Sequence, residues 1–229
     1  EDGHPYGNHE RRAGKMKKRI VCFGDSNTWG YDAESGGRFE NGQSWPDLLQ
    51  ERLGEDYEVR SEGLGGRTAV MEDPLYEGTR GLDYIHPCLL SHSPLALVII
   101  MLGTNDAKER FSLTAYNIAV GVVRVAMKAR NAPAGRNEGN PRVLVISPPP
   151  IGIRYVETES FPAMGKGCSE KSEELGGYLR VLCTQEGLDF LDMKGRVSFG
   201  KEDHMHLDRK GHEDLAEMVR TWIVQEMRR

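Results

Sequence analysis

The chain has 229 residues, of which 38% are hydrophobic and 28% charged, and its formal net charge is −5. That length fits one domain with a sizeable core, and the aliphatic content argues against intrinsic disorder. The acidic balance argues against a nucleic-acid surface, and the absence of any apolar run of about 18 residues argues against a membrane span.

Residues 1–15 (EDGHPYGNHERRAGK) are polar and glycine-rich and precede Met16. They are expected to be an added remnant or a flexible extension, with Met16 the natural start, no apolar signal core, and 16–229 one domain. Residues 18–23 read as a buried strand that stops at Gly24-Asp25-Ser26-Asn27-Thr28-Trp29-Gly30. Residues 44–53 read as a helix, with Ser44 as its cap and Trp45, Leu48, Leu49 and Leu53 on one face. A short strand over 57–61 leads into the turn Gly63-Leu64-Gly65-Gly66-Arg67-Thr68. The continuous apolar run 95–102 predicts a central strand, and Gly103-Thr104-Asn105-Asp106 follows its end. Helices are expected over 114–130, 170–186 and 210–227, and strands over 142–146 and 188–191. This alternation predicts an α/β fold of three layers, α/β/α, around a mostly parallel central sheet. Loops 31–43, 71–87 and 148–167 are long enough to expect a functional role, here as walls of a pocket beside the strand ends. The prolines of Ser147-Pro148-Pro149-Pro150 are expected to stiffen one such wall.

Ser26 stands at a strand-to-helix corner framed by Gly24 and Gly30. Such a serine can expose its hydroxyl beside unpaired first-turn amides, as an acyl-transfer nucleophile requires, or it can simply cap the helix. The rest of the chain favours the nucleophile. The spacing Asp203-x-x-His206 lets a short turn bring a carboxylate to the far nitrogen of a base imidazole. Gly66 can supply a backbone N–H to an anionic intermediate, Ser26 can add its own, and Asn105 can add a side-chain amide at a strand end. His204 competes with His206 for the base, but adjacency to Asp203 suits it less well. Asp203, His204, His206, Asp208 and His212 also admit a metal reading, which chelation would test; a nucleophile with oxyanion donors explains the residues without metal or cofactor. Asp25 and Asp106 are expected to fix their turns by accepting backbone hydrogen bonds, and Trp29 to line the pocket or pack in the core. Arg67 can meet an acidic substrate or form a structural salt bridge. Cys22, Cys88, Cys168 and Cys183 lack C-x-x-C spacing, so reduced thiols in a cytoplasmic protein are expected.

Ser26, Gly66, Asn105 and the Asp203/His206 pair, in that order, resemble the SGNH hydrolase family, also called the GDSL esterases. The likeness runs from about Met16 to the C-terminus. The text Arg19 through Ser26, Glu62-Gly63-Leu64, Arg67-Thr68, Val98 through Asp106 and Val145 through Pro150 looks most like the arylesterase and acyltransferase branch. Asn27 stands where the family name implies leucine, a position expected to tolerate change. Gly66 stands where the branch can carry alanine. The resemblance implies a flavodoxin-like SGNH fold and a serine esterase acting on small acyl or aryl esters, with acyl transfer to alcohols as a further activity. It also implies a homo-oligomer; Phe39, Trp45, Tyr76 and Tyr84 are candidates for its contact surfaces, or they pack their own loops. A carbohydrate O-deacetylase or a thioesterase would use the same residues. A non-catalytic nucleotide- or glycan-binding module is the rival of another class, but neither G-x-x-x-x-G-K-[ST] nor G-x-G-x-x-G is present.

Overall fold

The computed structural model describes residues 16–227, and the expectation for residues 1–15 lies outside them. In chain order the elements are β1 (Lys18–Gly24), α1 (Ser26–Trp29), β2 (Tyr31–Asp32), β3 (Gly37–Arg38), α2 (Trp45–Leu53), β4 (Tyr57–Gly63) and α3 (Gly81–His92). They continue with β5 (Leu97–Met101), α4 (Ala115–Arg130), β6 (Arg142–Ile146), α5 (Phe161–Met164), α6 (Cys168–Glu186), β7 (Asp189–Leu191) and α7 (Arg209–Glu226).

Five strands form one parallel sheet in the order β4-β1-β5-β6-β7. All five residues of β5 are buried, as are Ile20 to Gly24 of β1, because helices cover both faces. On one face Val21, Phe23, Val98 and Ile100 pack against Ile85, Leu89, Ile118, Val122, Leu175 and Leu179 of α3, α4 and α6. On the other, Ile20, Cys22, Leu97 and Ile99 meet Trp45 and Leu49 of α2 and Leu215, Val219 and Ile223 of α7. The three-layer α/β/α arrangement expected from the alternation is therefore present. Among the described residues no helix is long and apolar enough to cross a membrane.

The chain leaves β1 toward β4 on one side and later returns to β5 on the other. That reversal opens a crevice at the carboxyl ends of β1 and β5, where Gly24 pairs with Met101. Ser26 and Asn105 follow these two ends. The corner is tight: a Cβ on Gly63, at the end of β4, would lie 2.1 Å from the Trp29 backbone nitrogen. Glycine there lets α1 sit directly on the sheet.

The structure departs from the sequence expectations in three places. Loop 71–87 ends at residue 80, because α3 starts at Gly81 and runs through Pro87. Leu82, Ile85, Cys88 and Leu89 are buried at helical spacing, and that apolar stripe outweighs the hydrogen bond the proline cannot make. Ser44 occupies the cap position of α2, but its hydroxyl donates to Asp47 at 2.7 Å rather than accepting a backbone N–H. Loop 31–43 contains the small antiparallel pair β2–β3.

Candidate active site

Ser26 opens α1. Asp25 caps that turn, accepting the Asn27 N–H on Oδ1 at 3.0 Å. The Ser26 hydroxyl lies 2.7 Å from His206 Nε2, across 180 positions of sequence. His206 Nδ1 lies 2.5 Å from Asp203 Oδ2. The other oxygen, Asp203 Oδ1, accepts the N–H groups of Met205 and His206, each at 3.0 Å. The spacing Asp203-x-x-His206 thus forms a self-closing turn. Burial would raise the Asp203 pKa, but His206 and the two amides outweigh it and hold the carboxyl below its ordinary value. An ionised Asp203 accepts from Nδ1 and leaves Nε2 free to accept from the serine. The tilted Tyr31 ring backs the imidazole at 4.5 Å between centroids.

Gly66 sits at φ +79°, a left-handed conformation that directs the turn after β4 toward Ser26. Among the described residues no acceptor takes the Gly66 N–H. Asn105 is 8% exposed and donates one amide hydrogen to the Arg67 carbonyl at 3.2 Å, which leaves the second for the cavity. Asp106, fully buried, receives the Ala69 N–H on both oxygens at 2.9 and 3.0 Å and ties the Gly66 turn to the end of β5. Burial pushes Asp106 up to about 7 and Asp25 up to about 6.

These groups share a cavity of about 290 Å³ lined by Ser26, Gly66, Asn105 and His206. Each long loop contributes to it: Tyr31 from the first, Tyr76 from the second, and Ser160, Ala163 and Met164 from the third. Pro149 and Pro150 instead line a separate groove with Ile151 and Phe199, so the stiff proline segment walls that groove.

Other expected residues fall elsewhere. Trp29 is not among the cavity residues; it lies under the Arg38 guanidinium at 5.0 Å. Arg67 turns inward, donating to the carbonyls of Gly24 and Glu62 and stacking on the Phe23 ring at 4.2 Å. It therefore holds strand ends together, and among the described residues it neither lines the cavity nor forms an ion pair with a carboxylate. His204 packs edge-on against Phe199 and is not among the cavity residues. His212 is buried and accepts the Trp45 N–H on Nδ1 at 3.1 Å; burial depresses it to about 4, so it stays neutral. Asp208 caps α7 through the Gly211 N–H. Of the five residues open to a metal reading, Asp203 and His206 bond to each other beside Ser26, while His204, Asp208 and His212 are engaged elsewhere. Among the described residues, ligand atoms do gather at Glu62, Cys88 and His92. There His92 and Glu62 already bond at 2.6 Å, and burial pushes the Cys88 thiol up to about 12, which keeps it protonated. Of the candidate contact residues, Trp45 is fully buried in its own core and Phe39 packs on His212; Tyr76 and Tyr84 are exposed.

Two residues stand out that the sequence reading undervalued. Asn27, 1% exposed, accepts the Leu207 N–H on Oδ1 at 2.9 Å. It fastens the histidine loop to the serine turn, a bond leucine could not make. Lys108, 5% exposed, lines the cavity and donates to Asp73 at 3.3 Å. An amide next to the nucleophile and a lysine three positions after Asn105 were visible in the sequence, but their partners lie far away in the chain.

The arrangement joins a hydroxyl, an imidazole held by a carboxylate, and converging N–H donors, which suits acyl transfer. A family model described as GDSL-like lipase/acylhydrolase matches residues 22–213. The aryl esterase of M. smegmatis is 34% identical, with 91% of this chain and 99% of that one covered and a TM-score of 0.84. A carbohydrate acetylesterase from Sinorhizobium meliloti is also 34% identical, with the same coverage of both chains and a TM-score of 0.85. A member of the lipolytic G-D-S-L family from Veillonella parvula, 18% identical, covers 93% of this chain and 99% of its own at a TM-score of 0.63 and shares the fold. No curated protein matches the sequence.

Proposed function

We propose that this chain, which belongs to the GDSL-like lipase/acylhydrolase family and is a carboxylic ester hydrolase, cleaves small acyl and aryl esters by covalent catalysis at Ser26. The observation that carries the reading is the continuous path from the Ser26 hydroxyl through His206 to Asp203 inside a cavity with oxyanion donors.

In this mechanism Ser26 Oγ attacks the ester carbonyl carbon while its proton passes to His206 Nε2. Asp203 holds the tautomer and stabilises the imidazolium. The carbonyl oxygen, now anionic, takes hydrogen bonds from the Ser26 and Gly66 N–H groups and the Asn105 amide. His206 returns the proton to the departing alcohol, leaving an acyl group on Ser26. Water repeats the attack with His206 again as base, and the acid leaves. An alcohol entering in place of water gives acyl transfer, which the Tyr31, Tyr76, Met164 and Met205 lining favours by keeping the acyl-enzyme dry.

The cavity volume suits an acetyl-sized acyl group on a modest alcohol. Sugar O-acetyl esters are a second reading, favoured by the acetylesterase among the relatives. Exposed Leu75, Tyr76 and Ile153 on the cavity loops support the homo-oligomer, which light scattering would test. The catalytic proposal is tested with p-nitrophenyl acetate: the wild type should hydrolyse it and Ser26→Ala should fall to background. Full activity in Ser26→Ala would exclude the covalent route.

A further inference from the structure

The cavity holds one feature that hydrolysis of a neutral ester does not use. Lys108 lies between the 3-10 turn that carries Asn105 and the next one, and it lines the same cavity as Ser26 and His206. An ammonium has three N–H donors. Among the described residues, the acceptor for Lys108 Nζ is Asp73 Oδ2 at 3.3 Å, a long bond. That carboxylate is committed elsewhere. Arg110 grips it with two donors, Nε to Oδ1 at 3.2 Å and Nη2 to Oδ2 at 2.7 Å, and Leu75 N–H donates to Oδ1 at 3.1 Å. Two cations therefore share one carboxylate, and Lys108 is the one that lines the cavity; buried Asp106 also acts on it, but burial pushes that carboxyl up to about 7, so it offsets the charge only in part. The Tyr76 ring, 5.4 Å from Nζ, covers the ammonium on another side. A buried cation with spare donors beside a nucleophile is matched best by an anionic oxygen, which forms a charge-assisted hydrogen bond in a site of low dielectric.

We propose that Lys108 forms a carboxylate-binding subsite, so that the preferred substrates are small esters that also bear an anionic carboxylate in the acyl or the alcohol part. The proposal rests on the esterase reading and narrows its substrate class. Asp73 and Arg110 are its positioning residues, since the paired guanidinium keeps Asp73 from neutralising Lys108 fully.

The test uses matched ester pairs. For the alcohol side, 4-acetoxybenzoate is compared with methyl 4-acetoxybenzoate; for the acyl side, monoethyl glutarate with ethyl pentanoate. In at least one pair the wild type should favour the anionic member in kcat/KM. Lys108→Met, in which Arg110 still pairs Asp73, should lower that anionic-to-neutral ratio at least tenfold, and Lys108→Arg should keep it within about threefold. A wild type that favours the neutral ester in both pairs would overturn the subsite without any variant. An unchanged ratio in folded Lys108→Met would do the same. Calorimetric binding of 4-acetoxybenzoate and its methyl ester to Ser26→Ala, with and without Lys108→Met, reads the subsite apart from turnover. If no ester is turned over but the anion binds through Lys108, the catalytic reading fails and the subsite stands.

Discussion

Replacing Asn27 by leucine, the residue implied by the family name, tests how the site is held together. Asn27 Oδ1 receives the Leu207 N–H at 2.9 Å, one residue beyond His206, and both ends of the bond are buried. Leucine fills similar space but leaves that N–H unpaired, which costs roughly 1–3 kcal/mol. The loop has other anchors: Asp203 holds the Met205 and His206 amides, and the carbonyls of His204 and His206 accept from Gly152 and Gly200. Those anchors keep the loop in place, and leucine also removes Asn27 Nδ2, a buried donor with no partner among the described residues, so the net loss should fall near the lower limit, about 1 kcal/mol, and shift Tm down by about 2–4 °C for a chain of this size. Because the bond sets where the imidazole sits, the same energy should appear in the chemical step. We expect kcat on p-nitrophenyl acetate to fall about fivefold with KM changed less than twofold. Steady-state kinetics beside a thermal melt separate the two effects. A lowered Tm with wild-type kcat would show that the bond stabilises the fold without positioning His206, and would refute the reasoning.

Asn105→Ala removes one oxyanion donor and should lower kcat about 10²–10³-fold with a small change in KM, read from the same assay. Gly66→Ala has room for its methyl group, the nearest atom being 4.0 Å away, but forces φ +79° on alanine; we expect about 1 kcal/mol of lost stability by urea titration, with activity retained because the N–H survives. Burial raises Asp25 from 3.8 to about 6, so the folded chain holds its proton more tightly than the unfolded one. Its contribution therefore favours folding below about pH 4 and is lost as pH rises through 6; Asp25→Asn, which keeps the Oδ1 acceptor, should remove about 2 kcal/mol of that pH dependence in urea titrations at pH 4 and 7.

Much of the architecture was legible because parallel strands buried on both faces leave continuous apolar runs, as in β1, β5 and β6. The serine corner, the Gly66 turn, Asn105 and the Asp203/His206 spacing were legible because each is a local signature of glycine freedom or short-range capping. What stayed hidden depends on partners distant in sequence. Pro87 masked α3, since local propensity outweighed an apolar stripe that only tertiary packing rewards. Asn27 read as a tolerant position because its acceptor role exists only once residue 207 arrives. Arg67 could not be placed from sequence, since its carbonyl partners belong to two different strand ends. Trp45 read both as part of the apolar face of its helix and as a contact candidate, and its complete burial with α7 and the sheet agrees with the first. The charge surplus at Lys108 likewise requires knowing that Arg110 and Lys108 share Asp73.

Catalysis by this site turns on a covalent bond at one oxygen, Ser26 Oγ. Incubation with diisopropyl fluorophosphate followed by peptide mass mapping should place a single phosphoryl adduct on Ser26, in step with loss of esterase activity, and His206→Ala should label far more slowly. Complete inactivation with the adduct on another residue, or full activity with Ser26 modified, would contradict it.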